Sequence, residues 1–294
     1  MANSADIHAT ITNQLIAAME REPGRPTLPW HRASGGLHMP LNAVTKQPYN
    51  GINILSLWVA AESQGYPAPQ WATYRQWLSL GGQVRRGEKA SSIVFYKEFE
   101  IEPEVDSDDD GKRRVARASS VFNAAQVEGV DMLSPAELTD LGPIARLQRV
   151  DEVVRSTGAS IAHSGDRAYF SPRLDRIQMP EEKLFAGSGT MTRTEGYYAT
   201  LLHELVHWSG GEPRLNRQMG KRFGDQAYAA EELVAEIGAA FLCAEFGVTP
   251  ELREDHAQYI ADWLKLLKSD PKAIFTAAAR ASEAAKFLKV GDPA

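Results

Sequence analysis

Two histidines four residues apart, His203 and His207, enclose Glu204 in the run H-E-L-V-H. On an α-helix, residues four apart stand one above the other on the same face, so both imidazoles can grip one divalent cation. Glu204 lies about 100° round the helix from His203, off the ligand line and placed to take a proton from a water that the cation polarises. The surrounding segment, residues 197–208, is rich in helix formers with apolar residues at helical spacing. It ends at Ser209-Gly210-Gly211, where glycine supplies a stop.

A helical His pair supplies two ligands, and a catalytic zinc site takes three protein ligands with one open position. Residues 228–243 predict a second helix carrying Glu231, Glu232 and Glu236 beside the apolar stripe Leu233, Ile237, Ala240 and Phe241. Glu232 and Glu236 share a face, and Glu231 lies about 100° away from Glu232. We place the third ligand at Glu232, with Glu231 as the alternative. Glu236 is assigned to accept a hydrogen bond from a ligand imidazole and so orient it. Two His and a Glu suit one zinc ion and also admit manganese or cobalt.

The elements that must position these groups follow from the remaining pattern. With 294 residues, the chain is long enough for two domains, each with its own core, and its 43% hydrophobic and 24% charged residues are ordinary for a globular protein. A lone cysteine, Cys243, excludes an internal disulfide framework and reads as a packed core thiol in a reducing compartment. No apolar run reaches the length of a membrane span and the first residues lack a signal-peptide pattern, so the expected location is cytoplasmic, with no membrane partner. Helices are expected over 7–19, 52–62, 73–80, 146–156, 256–268 and 273–288. Strands are expected over 92–99, 117–123, 168–172 and 176–179. Residues 131–142 read as an interdomain connection. Asp106, Asp108, Asp110 and Gly111 mimic the start of a calcium loop, but no acid closes it, and a solvated hairpin tip is the reading adopted.

The net charge of −6 hides an uneven distribution. Residues 1–97 carry nine Lys/Arg against five Asp/Glu, and residues 98–110 then hold eight acids and no base. Tyr49, Tyr66, Trp71 and Tyr74 are interleaved with Arg32, Lys46, Arg75, Arg85, Arg86 and Lys89. Aromatic platforms with a cationic track are what sequence-tolerant binding of single strands requires. Trp58 and Trp77 sit at helix positions expected in the core. The turn Gly81-Gly82-Gln83-Val84-Arg85-Arg86-Gly87-Glu88-Lys89 could lift its cations onto a protruding loop or be a plain solvated tip.

Several ordered motifs carry a resemblance. Asn42-Ala-Val-Thr-Lys-Gln-Pro-Tyr-Asn-Gly-Ile-Asn53, Trp71-Ala-Thr-Tyr-Arg-Gln76, the 81–89 turn and Val121-Phe-Asn-Ala-Ala-Gln126 are followed by residues 197–208, Arg214-Leu-Asn216 and residues 231–243. Together they resemble the ArdC-type antirestriction proteins of conjugative plasmids, which also share sequence with a plasmid TraC primase. The resemblance implies an α+β fold of two domains: an α+β single-stranded-DNA-binding domain over 1–130, a linker over 131–142, and a mostly helical zincin-like metallopeptidase domain over 143–294. It carries metal roles onto His203, His207 and Glu232 and the catalytic role onto Glu204. It implies shielding of incoming plasmid DNA from host restriction. DNA contacts are expected from Arg85, Arg86, Lys89, Trp71, Tyr74, Tyr49 and Arg32. Asn50 departs from the basic residue often found there, and Gly211 stands where the family often has a His. An alternative reading is a metallopeptidase that cleaves a host protein, with a host restriction protein as the candidate substrate, and uses DNA for delivery alone.

Overall fold

The computed structural model describes residues 4–21, 27–29, 38–100, 112–132, 143–185, 191–217, 226–249 and 257–290. The N-terminal part runs α1 (Ser4–Met19), β1 (Leu41–Asn42), α2 (Ile52–Gln64), β2 (Gln70–Ala72), α3 (Tyr74–Ser79), β3 (Gln83–Val84), β4 (Ser91–Glu100), β5 (Lys112–Asn123) and β6 (Val127–Glu128). The C-terminal part runs α4 (Pro143–Ser156), β7 (Ser160–His163), β8 (Tyr169–Ser171), β9 (Arg176–Met179), α5 (Arg193–Ser209), α6 (Gln226–Phe246), α7 (Ala257–Ser269) and α8 (Ala273–Leu288). The architecture is α+β, as the resemblance implies. The segment proposed as a calcium-loop mimic, and most of the expected linker, lie outside the described residues.

Strands β4 and β5 form the long antiparallel hairpin, in register from Ser91↔Val121 to Glu100↔Lys112. β2 pairs antiparallel with β5, and β1 pairs parallel with β2, giving the order β1-β2-β5-β4. A second small sheet has the order β7-β9-β8, with β7 parallel to β9. β7 was not expected from the sequence: Ser-Ile-Ala-His offers one β-branched residue and no alternation, and pairing with β9 makes it a strand.

Ile7, Ile11, Leu15 and Met19 recur every four residues and form the buried stripe of α1. They do not close a core of their own. One apolar cluster joins them to Trp58 of α2, Leu205 and Val206 of α5, Ile237 and Phe241 of α6, and Trp263 of α7. Polar contacts run the same way. Thr12 Oγ1 donates to the Pro271 carbonyl at 2.7 Å, and the Gly51 N–H donates to Ser282 Oγ at 2.9 Å. The largest apolar core is therefore shared between the two halves. The two amphipathic helices of the N-terminal half use the C-terminal helices as their apolar partner. Smaller clusters lie under the N-terminal sheet, one around Trp77, Val84 and Val127 and another around Leu57, Trp71 and Val121.

Candidate metal centre and nucleic-acid surface

Helix α5 starts with a reciprocal cap: the Thr192 side chain accepts from the Glu195 N–H, and Glu195 Oε2 accepts from the Thr192 N–H at 2.8 Å. Glu195 Oε1 also accepts from Thr249 Oγ1 at 2.7 Å, just past the end of α6. The start of α5 is thereby tied to the end of α6, and the two helices lie antiparallel. Their closest approach depends on Gly238. A Cβ built there would stand 2.9 Å and 3.0 Å from the two Val206 methyls. The missing side chain lets α6 sit hard against the turn that carries His203 and His207.

Among the described residues, one set of potential ligands converges: His203, His207 and Glu232, whose ligand atoms lie within 4.8 Å of one another. His203 Nε2 stands 3.6 Å from Glu232 Oε2, and His207 Nε2 stands 3.6 Å from Glu232 Oε1. A cation bonded tetrahedrally at 2.0–2.1 Å would separate its donors by about 3.4 Å. The donor set and its spacing fit a divalent ion. Glu231 and Glu204 do not join this set, although Glu204 is 3% exposed and its charge acts on His207.

Each ligand has a partner behind it. His203 Nδ1 faces Glu236 Oε2 at 3.6 Å, and His207 Nδ1 faces Glu231 Oε1 at 3.4 Å. With both Nδ1 atoms turned to carboxylates, both Nε2 atoms point at the shared centre. Glu231 is in turn clamped by Arg217, whose Nη2 donates to Glu231 Oε1 at 2.8 Å and whose Nε donates to Oε2 at 3.1 Å. Arg217 Nη1 donates to Ser209 Oγ at 3.0 Å and Nη2 to the Val206 carbonyl at 2.5 Å, so this buried guanidinium also braces the end of α5. Tyr228, one turn before Glu232, is hydrogen-bonded to it and accepts from Tyr259 at 3.4 Å. Arg217 and Tyr228 were not found in the sequence. Arg217 lies in a loop without periodicity, and Tyr228 reads as one more aromatic at a helix start.

The charges agree with this arrangement. Burial disfavours the His207 imidazolium, but the carboxylates of Glu232, Glu231 and Glu204 outweigh that cost and push its pKa up to about 10. Burial likewise raises Glu232, and the two imidazoles overcome it, leaving the carboxyl well below the usual range. Cys243 is fully buried, and burial pushes its thiol up, consistent with a packed core residue. Beside Gly211 the space is taken by the Arg214 guanidinium, which lies 4.0 Å over the Trp208 ring.

The N-terminal surface residues divide differently. The 81–89 turn is held from beneath by Gln126, whose Nε2 donates to Glu88 Oε2 at 3.0 Å and to the Lys89 carbonyl at 2.9 Å. Gly87 allows the reversal with φ of 89°. Arg85 is half-committed to this frame, donating to Glu88 Oε1 at 2.7 Å and to the Ala125 carbonyl at 2.6 Å. Arg86 and Lys89 project into solvent with no ion pair among the described residues. Tyr74 is 43% exposed. Trp71 is 1% exposed and packs with Leu57 and Val121, so it cannot act as a stacking platform. Tyr49 is half-buried, and its hydroxyl donates to the Trp71 carbonyl, which makes it a brace for β2. Arg32 lies outside the described residues.

Residues 5–127 match the model of the N-terminal domain of anti-restriction factor ArdC, and residues 148–280 match that of a zincin-like metallopeptidase. A Sinorhizobium fredii protein known as y4eC is 40% identical over 96% of this chain and 91% of its own length. The crystal structure of the antirestriction protein ArdC of plasmid R388 in its metal-free form superposes with a TM-score of 0.78 at 38% identity, covering 98% of both chains. The chain belongs to the ArdC antirestriction family. Its Mn(II)-bound R388 relative matches with the same TM-score at 36% identity. The DNA primase TraC of Escherichia coli is 34% identical over 96% of this chain, which spans 27% of the primase. The α+β architecture is thus that of an ArdC N-terminal domain followed by a zincin-like domain. Among the described residues, no helix is long and apolar enough to cross a membrane.

Proposed function

We propose that this ArdC-family chain binds single-stranded DNA through residues 1–130, protects incoming plasmid DNA in the cytoplasm from host restriction, and carries a metallopeptidase site in residues 143–294. The observation that carries the peptidase reading is the convergence of His203, His207 and Glu232 with Glu204 beside them. These three residues hold one divalent ion, with zinc first among the candidates and manganese or cobalt alternatives. The Mn(II)-bound structure of the ArdC relative supports the binding of a divalent ion. When bound, such an ion supplies the Lewis acidity that polarises a carbonyl and lowers the pKa of water.

The chain's own residues supply the rest. Glu204 accepts a proton from water as its oxygen attacks the peptide carbon, then delivers that proton to the amine nitrogen as the C–N bond breaks. Glu236 and Glu231 fix the tautomer and tilt of His203 and His207, and Tyr228 holds Glu232.

Glu204→Gln is expected to retain metal and fold while losing peptidase activity on a casein-type substrate; equal activity would sink this mechanism. Glu232→Ala should weaken metal binding by more than the roughly 10–100-fold expected for the outer partner in Glu231→Ala. If Glu231→Ala loses the ion and Glu232→Ala keeps it, the ligand assignment is wrong. Plasmid transfer into a restricting host separates the two roles. Protection by Glu204→Gln, with loss in an Arg86→Ala/Lys89→Ala double variant, marks the DNA shield as the main function. The reverse outcome makes proteolysis of a host protein the main function.

A further inference from the structure

A cavity of about 660 Å³ opens between α1, α2 and the segment that leads from the 81–89 turn into β4. Its size is that of a small-molecule site. Its walls are preformed. Asn53 Nδ2 donates to the Val94 carbonyl at 2.8 Å, its Oδ1 accepts from the Val94 N–H at 2.7 Å, and Ser56 Oγ donates to the Ser92 carbonyl at 3.0 Å. These bonds lock α2 to β4 and keep the cleft open.

We infer that this cleft seats bases of single-stranded DNA, with Tyr66 as the stacking platform and Lys89 as the phosphate contact at its mouth. The inference rests on the single-strand reading above and names the place where the strand lies. Tyr66 lines the cleft half-buried, its ring supported edge-on by Trp71 at 5.8 Å between centroids. The buried Trp71 therefore serves as backing for the ring that can be reached. Of the charged residues on the lining, Glu88 is paired with Arg85 at 2.7 Å and Arg21 with Glu62 at 2.8 Å. Lys89 lines the cleft, and it and the neighbouring Arg86 are exposed and make no ion pair among the described residues. Gln14 on α1 and Ser63 and Gln64 at the end of α2 add exposed hydrogen-bonding groups without charge to the lining. A half-buried ring on the lining, uncharged hydrogen-bonding groups and the exposed Lys89 suit an unstacked base with its phosphate, and a duplex offers no free base face to such a cleft.

The test uses the full-length protein and a fluorescent oligo(dT), with binding followed by anisotropy. Tyr66→Leu, which keeps apolar bulk against Trp71, should weaken binding by about tenfold, whereas Tyr66→Phe should bind like wild type. The double variant Gln14→Glu/Gln64→Glu, which changes only exposed helix positions, should weaken binding by about fivefold or more through repulsion of the backbone. Ultraviolet cross-linking to an oligonucleotide carrying 5-iododeoxyuridine should label the peptide containing Tyr66. The inference is overturned if Tyr66→Leu and the double glutamate variant both bind like wild type while Arg86→Ala/Lys89→Ala loses binding, because the strand then lies on the turn and not in the cleft. If the wild-type protein itself does not bind oligo(dT), the single-strand reading fails and the cleft assignment with it.

Discussion

The molecule contains the same ion pair in two settings. Arg217 meets Glu231 at 2.8 Å with side chains 3% and 5% exposed, and Arg85 meets Glu88 at 2.7 Å with side chains 42% and 23% exposed. Distance does not distinguish them, but burial does. At the metal helices every carboxylate has a charged or hydrogen-bonding partner because an unpaired buried charge is costly. On the basic turn, water can satisfy whatever the protein leaves alone, so Arg86 and Lys89 remain available to a ligand. Geometry therefore fixes roles in the first region and only availability in the second.

The widest separation between the two pairs should come from truncating each arginine. Arg217→Ala leaves buried Glu231 with His207 as its remaining charged partner and strips the donors from the Val206 carbonyl and Ser209, and should cost about 3 kcal/mol in urea unfolding of the metal-free protein. Arg85→Ala should cost no more than about 1 kcal/mol. Metal affinity should fall in Arg217→Ala alone, because Glu231 then loses the clamp that aims it at His207. Similar costs for the two variants would show that burial is not what separates them.

A smaller effect should come from the helix contact. Gly238→Ala drives a methyl to about 2.9 Å from the stiff, fully buried Val206, and α5 and α6 must spread or strain. Overpacking of this kind costs about 1–3 kcal/mol. Val206 precedes His207, so the Nε2 atoms should also lose their register with Glu232, and chelator competition should report weaker metal binding. DNA binding should not change. Loss of DNA affinity in this variant would mean that the shared core couples the two regions.

The sequence placed the inner residues of the candidate metal centre together because helical spacing is a local rule. His203, His207 and Glu232 could be placed from it, with Glu236 behind the first imidazole. It did not carry what stands behind Glu231. A pair of adjacent glutamates can be separated by helix angle, but that angle does not say which one faces an arginine from a loop. Gly238 read as one more small residue among alanines, since close approach is a property of two helices together. On the N-terminal surface the failure was of another kind. Composition supplied aromatics and cations, and only burial separates Trp71, a support, from Tyr66, a reachable ring. The motif at 121–126, legible as a pattern, acts through Gln126, which holds the turn from below.

The smallest expected effect tests the link that ties the two metal helices together, and it depends on pH. Burial raises the Glu195 carboxyl, but hydrogen bonds donated by Thr192 and Thr249 outweigh it and hold the pKa below the ordinary value of 4.5. A carboxyl with a lowered folded-state pKa adds stability that is present above its unfolded pKa and is lost as pH falls through the folded one. Glu195→Gln keeps the shape of the cap and removes its charge, so it should cost about 0.5–1 kcal/mol at pH 7, as cap interactions do. The wild-type and variant stability curves should converge as pH drops below about 4.5, where wild-type Glu195 takes up its proton. Curves that stay parallel to pH 3 would show that the charge of Glu195 does not matter to the join. The antiparallel setting of α5 and α6 would then rest on packing around Gly238, and metal affinity at pH 7 should be the same in Glu195→Gln and wild type.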